Sequence, residues 1–331
     1  MVAVIRHVVN GLLLAELSGR IPLILWQDRF LYVDALENKR LNRFSRFFEA
    51  KSFCDLSGLK SHAKTFAPNG WNLENIERDD LIEYRHSENR PEFQPLTPEQ
   101  ILSCDSDVVV YTHYQHLVEI IPLIPKSSEY YGQSNALIAR AIYQKNFSLN
   151  PELRSIIQAY REKLPAGQAI VGIHCRGSDK ISEHALATPG AYIKALAKRF
   201  SGVKHLFLAT DSEQAFHFFQ RKFSGTIIAI DCQRSSTSLG VHFSAKNREE
   251  AGKEFLVDAY LLSYCKWHLG NHGSHMSYLV QAMLKTEGEP YEDFQHIDAP
   301  FSAKVERLLK SQVPNAARRL KACLLSCLRG R

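Results

Sequence analysis

The chain has no Cys-x-x-Cys pair. Its seven cysteines (Cys54, Cys104, Cys175, Cys232, Cys265, Cys323 and Cys327) are odd in number and widely spaced. That argues against a zinc ribbon or a dithiol redox motif and fits reduced thiols in a reducing compartment. No apolar run reaches the roughly 18 residues a membrane-spanning helix needs. The patch at residues 12–14 is short and followed by Glu16, unlike a secretory leader. No fixed-period repeat occurs, and 17 Gly and 13 Pro are near background, which excludes collagen-like and low-complexity chains. The expected setting is cytoplasmic, with or without contact to the inner face of a membrane. The body also lacks net positive charge. Of the +6 total, residues 304–331 supply eight Lys/Arg against one acid, so everything before them nets −1. A nucleic-acid-binding domain would carry its basic stripe through the fold, so that class is set aside.

What is present is ordinary globular protein. The 331 residues (37.7 kDa) are 45% hydrophobic, 23% charged and 10% aromatic, with ample apolar surface to offset ordering entropy. At about 150 residues per domain, the length suggests two domains. Val2, Ile5, Val9, Leu12 and Leu13 recur at helical spacing, with Gly19 where a helix would stop. The run 21–26 reads as a buried strand. Residues 41–105 are mixed and broken by Pro91, Pro95 and Pro98; 108–111 is a strand candidate, followed by Pro122 and Pro125. A helix spans 151–164 with Pro at its first turn, and Pro165-Ala166-Gly167 is a candidate hinge.

The second half is more regular. Strands are expected at 169–174, 205–209, 226–230 and 267–270, alternating with helices at 192–200, 212–223, 254–264 and 274–284. Such alternation implies a parallel sheet covered on both faces, and ligands bind such sheets at the carboxyl ends of the strands. The first of those ends is His174-Cys175-Arg176-Gly177-Ser178-Asp179-Lys180. An Arg there can bind a phosphate bidentately and neutralise charge on a departing phosphate; a salt-bridged surface turn is the plainer alternative. At the second end, Ala209-Thr210-Asp211-Ser212, Asp211 or Ser212 fits a helix cap as well as a ligand contact. The third, from Asp231 through Arg234 to Ser236, opens a polar loop of a length that is usually functional or mobile. Last comes Asp258, an acid flanked by apolar residues on a helix, followed by Gly270-Asn271-His272-Gly273-Ser274-His275, which could hold phosphate on backbone N–H groups or simply be a capped turn.

In order and spacing these segments resemble the fucosyltransferases that use GDP-fucose: the α1,6-fucosyltransferases of animals and rhizobia and, more distantly, the protein O-fucosyltransferases. The family's His-x-Arg-x-Thr-Asp-Lys pattern is matched by His174, Arg176, Ser178, Asp179 and Lys180. Its Ala-Thr-Asp turn is matched by Ala209, Thr210 and Asp211, and its late stretch by Asp258, Leu261, Leu262, Ser263 and Ser274. The likeness is strongest over 169–284, faint over 5–35 and absent over 50–150. It implies an α/β, GT-B-like architecture of two Rossmann-type domains with a cleft between them. Residues 1–165 would be the acceptor side, 166–300 the nucleotide-sugar domain and 301–331 a basic helical tail.

The resemblance also implies inverting transfer without a cofactor or divalent metal. Arg176 would stabilise the leaving GDP, and His174 and Asp258 would contact the nucleoside. Ser274 would donate to the phosphate, Asp211 would lie near the nucleotide, and Asp179 and Lys180 would hold the loop and donor. This chain departs from the pattern in three places: Gly177 stands where the α1,6 enzymes have a second Arg, Glu183 and His184 stand near the family's frequent acid, and no Gly-rich turn precedes the first helix. Glu183 is the first candidate base for the acceptor hydroxyl and His184 the second.

Other expectations are open to test. Asp105-Ser106-Asp107 is a DxD string, the metal-diphosphate signature of another glycosyltransferase fold, but it precedes a strand instead of ending one, as a turn or cap would. Tyr111, His113, Tyr114 and His116 could line a sugar site or form a packed cluster. The tail, with Leu320, Leu324 and Leu328 among Arg318, Arg319, Lys321 and Arg329, could lie on anionic lipid or pack across the domains. The expected partners are a nucleotide-sugar donor and a glycan or glycolipid acceptor. The competing functions are a GT-B-like enzyme for another nucleotide sugar and a non-catalytic nucleotide-sugar binder.

Overall fold

The computed structural model describes residues 1–26, 32, 42–50, 56–78, 81, 90–112, 115–177, 187–236, 241, 247–271, 274–285 and 294–297. The chain opens with α1 (Val2–Leu17), whose buried Val2, Ile5, Val9, Leu12 and Leu13 are the positions the helical spacing marked. It ends where the Ser18 hydroxyl donates to the Leu14 carbonyl (2.7 Å) and Gly19 turns at φ +68°. Residues 21–26 form no strand, a correction to the reading above. Their polar backbone is satisfied locally: the Asn42 side chain accepts the Trp26 N–H (3.0 Å) and donates to the Ile24 carbonyl, and Arg43 N–H donates to the Trp26 carbonyl (2.8 Å). Trp26 itself is buried edge-on against Phe44 and Phe48. An apolar run therefore buries its side chains here without a ladder.

The rest of the N-terminal half is made of short pieces. β1 (Phe48–Ala50), α2 (Leu56–His62), β2 (Phe66–Ala67), α3 (Pro98–Leu102), β3 (Val108–Val109), α4 (Leu117–Ile120), α5 (Asn135–Asn146), β4 (Phe147–Leu149) and α6 (Pro151–Arg161) follow in order. β1 pairs antiparallel with β4, and β2 parallel with β3. Caps are where the chemistry puts them: the Thr97, Ser134 and Asn150 side chains accept N–H groups from the first turns of α3, α5 and α6. In the DxD string, the Asp107 carboxylate accepts the N–H groups of Lys64 and Thr65 and the Thr65 hydroxyl (2.8–2.9 Å), tying the approach to β2 onto β3. Those donors hold its carboxyl below the usual range. Tyr111 stacks on His7 at 4.4 Å, as a packed cluster would; His113 and Tyr114 lie outside the described residues.

The C-terminal half is built on one parallel sheet. Along the chain come β5 (Ile170–His174), α7 (Pro189–Arg199), β6 (His205–Ala209), α8 (Glu213–Lys222), β7 (Thr226–Ile228), α9 (Arg248–Ser263), β8 (Trp267–Asn271), α10 (His275–Tyr278) and β9 (Phe294–Ile297). The strand order is β7-β6-β5-β8-β9, every neighbour parallel. Alternate side chains serve alternate faces. Val171, Ile173, Leu206 and Leu208 pack with Tyr192 and Leu196 of α7 and Phe219 of α8. Ile170, Phe207 and Ala209 join Leu256, Val257 and Leu261 of α9 on the other side. Each fully buried Leu or Phe contributes about 2 kcal/mol. α10 runs on as a π-helical stretch, Leu279–Leu284, buried throughout.

That second core does not stop at the half-way point. It continues through Ile138 and Ile142 of α5 to Val9 and Leu13 of α1. Polar links follow the same path: Tyr143 and Tyr260 share a hydroxyl–hydroxyl bond of 3.0 Å, and buried Arg140 donates to the Gln281 carbonyl. No described helix is long and apolar enough to cross a membrane.

Candidate active site

The strand order reverses between β5 and β8, the switch point where such sheets hold ligands. β5 ends at His174, 6% exposed. Its carbonyl accepts the Tyr192 hydroxyl (3.0 Å), while its Nδ1 lies 3.0 Å from Ser274 Oγ and 3.4 Å from Ser277 Oγ. His174 thus joins β5 to the turn after β8. Burial and the neighbouring Arg176 guanidinium push its pKa down to about 3, so the imidazole is neutral at physiological pH.

Arg176 follows on a braced loop. Cys175 N–H donates to the Ala209 carbonyl (3.0 Å), and Gly177 N–H donates to Asp211 Oδ1 (2.9 Å). Gly177 is forced by contact, since a Cβ there would lie 2.7 Å from Ser212 Cβ. The departure from a double Arg therefore has a steric cause. The two readings of Asp211-Ser212 also separate: Ser212 caps α8 by accepting Ala215 N–H (3.2 Å), and the Asp211 carboxylate holds the Arg176 loop. The Asp211 backbone pairs onward with Ser235, whose N–H donates to the Asp211 carbonyl (2.8 Å).

Opposite this loop stands α9, begun by Asn247, which accepts Glu250 N–H (2.9 Å). It starts six residues before the 254 expected from sequence, and carries Asp258 and Glu254 into the cleft. Asp258 is 8% exposed, and its Oδ1 is buried without a hydrogen-bond partner. Burial drives its pKa well up, Glu254 and Asp211 add to this, and Arg234 opposes it. Burial likewise lifts Glu254 to about 7, with Glu250 and Asp231 adding to this and Arg234 opposing it. Arg234 donates to the Ile230 carbonyl (3.0 Å) and lies 4.2 Å over the Phe216 ring. Cys232, pushed up to about 12 chiefly by burial, stays a thiol.

Between these walls lies a cleft with about 630 Å³ of empty space open to solvent. His174, Arg176, Asp211 and Asp258 all line it, and Ser274 reaches it through His174. Asp179, Lys180, Glu183, His184 and the tail 301–331 lie outside the described residues. Glu254 was not singled out from sequence, although a carboxylate four residues before Asp258 must share its helix face. Chemically the cleft offers a fixed cation at a sheet end and buried acceptors facing it, a fit for a ligand with an anionic group and N–H or O–H donors. Among the described residues no cluster of His, Cys, Asp and Glu suited to a metal ion occurs.

No protein-family model matches the chain, and no curated protein does. Solved structures do. The fold is similar to that of NodZ α1,6-fucosyltransferase soaked with GDP-fucose, at 22% identity and a TM-score of 0.52 over 83% of this chain and 86% of that one. Fucosyltransferase NodZ from Bradyrhizobium matches at 22% identity and 0.51, over 83% and 87%. NodZ co-crystallised with GDP matches at 22% and 0.50, over 83% and 86%. At this identity the fold is what is shared: the chain has an α/β fold similar to that of these solved fucosyltransferases.

Proposed function

We propose that this protein transfers fucose from GDP-fucose to a hydroxyl of a glycan or glycolipid acceptor, with inversion and without a metal ion. The observation that carries the reading is Arg176 at the carboxyl end of β5, on a loop clamped by the Asp211–Gly177 hydrogen bond, in one cleft with Asp258, whose buried Oδ1 has no hydrogen-bond partner. The likeness to NodZ, which has been soaked with GDP-fucose, supports it.

In this mechanism the acceptor oxygen attacks C1 of fucose as the bond from C1 to the β-phosphate oxygen breaks. The electron pair leaves with GDP, and the acceptor proton passes to a base, for which Glu183 and His184 are the candidates. Arg176 meets the charge that grows on the β-phosphate, a preorganised role that needs no metal. His174 and Asp258 hold the nucleoside, Ser274 and Lys180 the diphosphate side, and Asp179 steadies the loop. Residues 1–165 form the acceptor side and 166–300 the donor side, as in a GT-B-like enzyme. Asp107 of the DxD string is already committed to three donors, which favours its structural role.

The test is Arg176→Ala. Turnover of GDP-fucose should fall at least about 100-fold with the fold intact by circular dichroism. A variant keeping more than roughly a tenth of the wild-type rate would remove Arg176 from this role.

A further inference from the structure

Two serine hydroxyls converge on one ring nitrogen. His174 Nδ1 lies 3.0 Å from Ser274 Oγ and 3.4 Å from Ser277 Oγ, both on the segment that follows β8. The two serines differ in setting. Ser277 is 1% exposed, within α10 where that helix runs into the π-helical stretch, whereas Ser274 stands just before α10 and is half-buried. The backbone beneath the ring is held as well, since the Tyr192 hydroxyl donates to the His174 carbonyl (3.0 Å). Among the described residues, Nε2 makes no hydrogen bond, and His174 lines the cleft. Nε2 is therefore the ring atom left to meet a ligand.

Few protons are available here. A buried imidazole next to a guanidinium is neutral, with one N–H and one lone pair, and each serine hydroxyl has a single proton. If Ser274 gives its proton to a phosphate, its oxygen can only accept from the ring, and Nδ1 must be the nitrogen that carries hydrogen. One N–H shared unequally between two oxygens is a common three-centre arrangement, and it accounts for the 3.0 and 3.4 Å distances together. A lone pair on Nδ1 would serve one hydroxyl well and the other poorly.

We propose that Ser277 is a positioning residue for the donor nucleotide, holding His174 as the tautomer with hydrogen on Nδ1 and a lone pair on Nε2 presented to the cleft. This rests on the donor reading above and deepens it. Ser277 is the constant partner: buried in α10, it keeps its oxygen on the Nδ1–H while Ser274 turns its own proton to the phosphate. The ring then offers the nucleoside an acceptor, which recognises an N–H or O–H of the ligand and rejects a lone pair. Without Ser277 the ring loses the partner that fixes its tautomer, and the other form would turn an N–H on the same ligand donor.

The experiment is long-range ¹H–¹⁵N NMR of the full chain labelled at histidine, with GDP bound, alongside titration calorimetry with GDP. The His174 signals are assigned by their loss in His174→Gln. In wild type the ¹⁵N shifts should place the proton on Nδ1, a reading that needs no variant at the serine. In Ser277→Ala the ring should become a mixture of tautomers, and GDP should bind about three- to tenfold more weakly, the worth of one hydrogen bond. A role in packing alone would lower stability and leave the tautomer as it was. A proton on Nε2 in wild type, or an unaltered tautomer or unaltered GDP affinity in Ser277→Ala, would overturn the proposal and leave the donor reading standing. Failure of wild type to bind GDP would sink both.

Discussion

Two side-chain positions beside Arg176 decide how well its loop is held. Gly177 lets that loop touch α8, because a Cβ would come within 2.7 Å of Ser212 Cβ. Gly177→Ala should destabilise the chain by about 1–3 kcal/mol in urea unfolding. Adding Ser212→Gly should recover part of that loss, read as a coupling in a double-mutant cycle. His174 makes a prediction about acid. Its folded-state pKa of about 3 lies below its ordinary value of 6.5, so between those values the unfolded chain binds more protons than the folded one. The stability this contributes is whole above pH 6.5 and is lost as pH falls toward 3, by up to about 1.4 kcal/mol per pH unit. His174→Gln should flatten that limb of the pH–stability curve; an unchanged limb would mean the imidazole is not the group responsible.

At the level of elements, α9 is what joins packing to chemistry, because its inner face meets β5 while its edge carries Glu254 and Asp258. Gly172 sets that approach: a Cβ there would lie 3.0 Å from Cys265 Sγ and from Leu262 Cδ2. Gly172→Leu should push α9 off the sheet, cost about 3 kcal/mol or more, and weaken GDP binding even in molecules that remain folded. Normal GDP affinity in a folded Gly172→Leu would separate the two effects and refute the link. The alternation from β5 to α10 was legible because strand and helix periods are both clear there and α7, α8 and α9 begin on the capping side chains of Thr188, Ser212 and Asn247. Legibility failed where burial was satisfied by irregular backbone. The run ending in Trp26 looked like a strand, yet Asn42 from a distant position supplies its hydrogen bonds. The π-helical register of Leu279–Leu284 likewise depends on packing from all sides, which no local pattern carries. Within the site, His174, Arg176, Asp211 and Asp258 could be read because they stand at strand ends or interrupt apolar runs. Glu254 was passed over despite standing one turn before Asp258, since its weight comes from the cleft and from Arg234, brought to it by the fold.

For the molecule as a whole, one expectation concerns metal and another cooperativity. Under the proposed mechanism, activity assayed in EDTA should be fully kept, because Arg176 would supply the charge a metal would otherwise provide; a loss restored by Mn²⁺ would count against that mechanism. The apolar interior continuous from Val9 through Ile142 to Leu261 should make thermal unfolding a single transition in calorimetry. Two resolved transitions would show that the halves fold independently.

That joined interior has a consequence for how a chain of this fold can be recombined. Parts with separate interiors can be exchanged like modules. Here a foreign N-terminal half would have to reproduce the packing of α1 and α5 against α9 and the π-helical stretch before the C-terminal half could stand. Diversification, natural or engineered, is thereby channelled into surface loops, and chimaeras cut near residue 165 should aggregate unless the seam is redesigned with them.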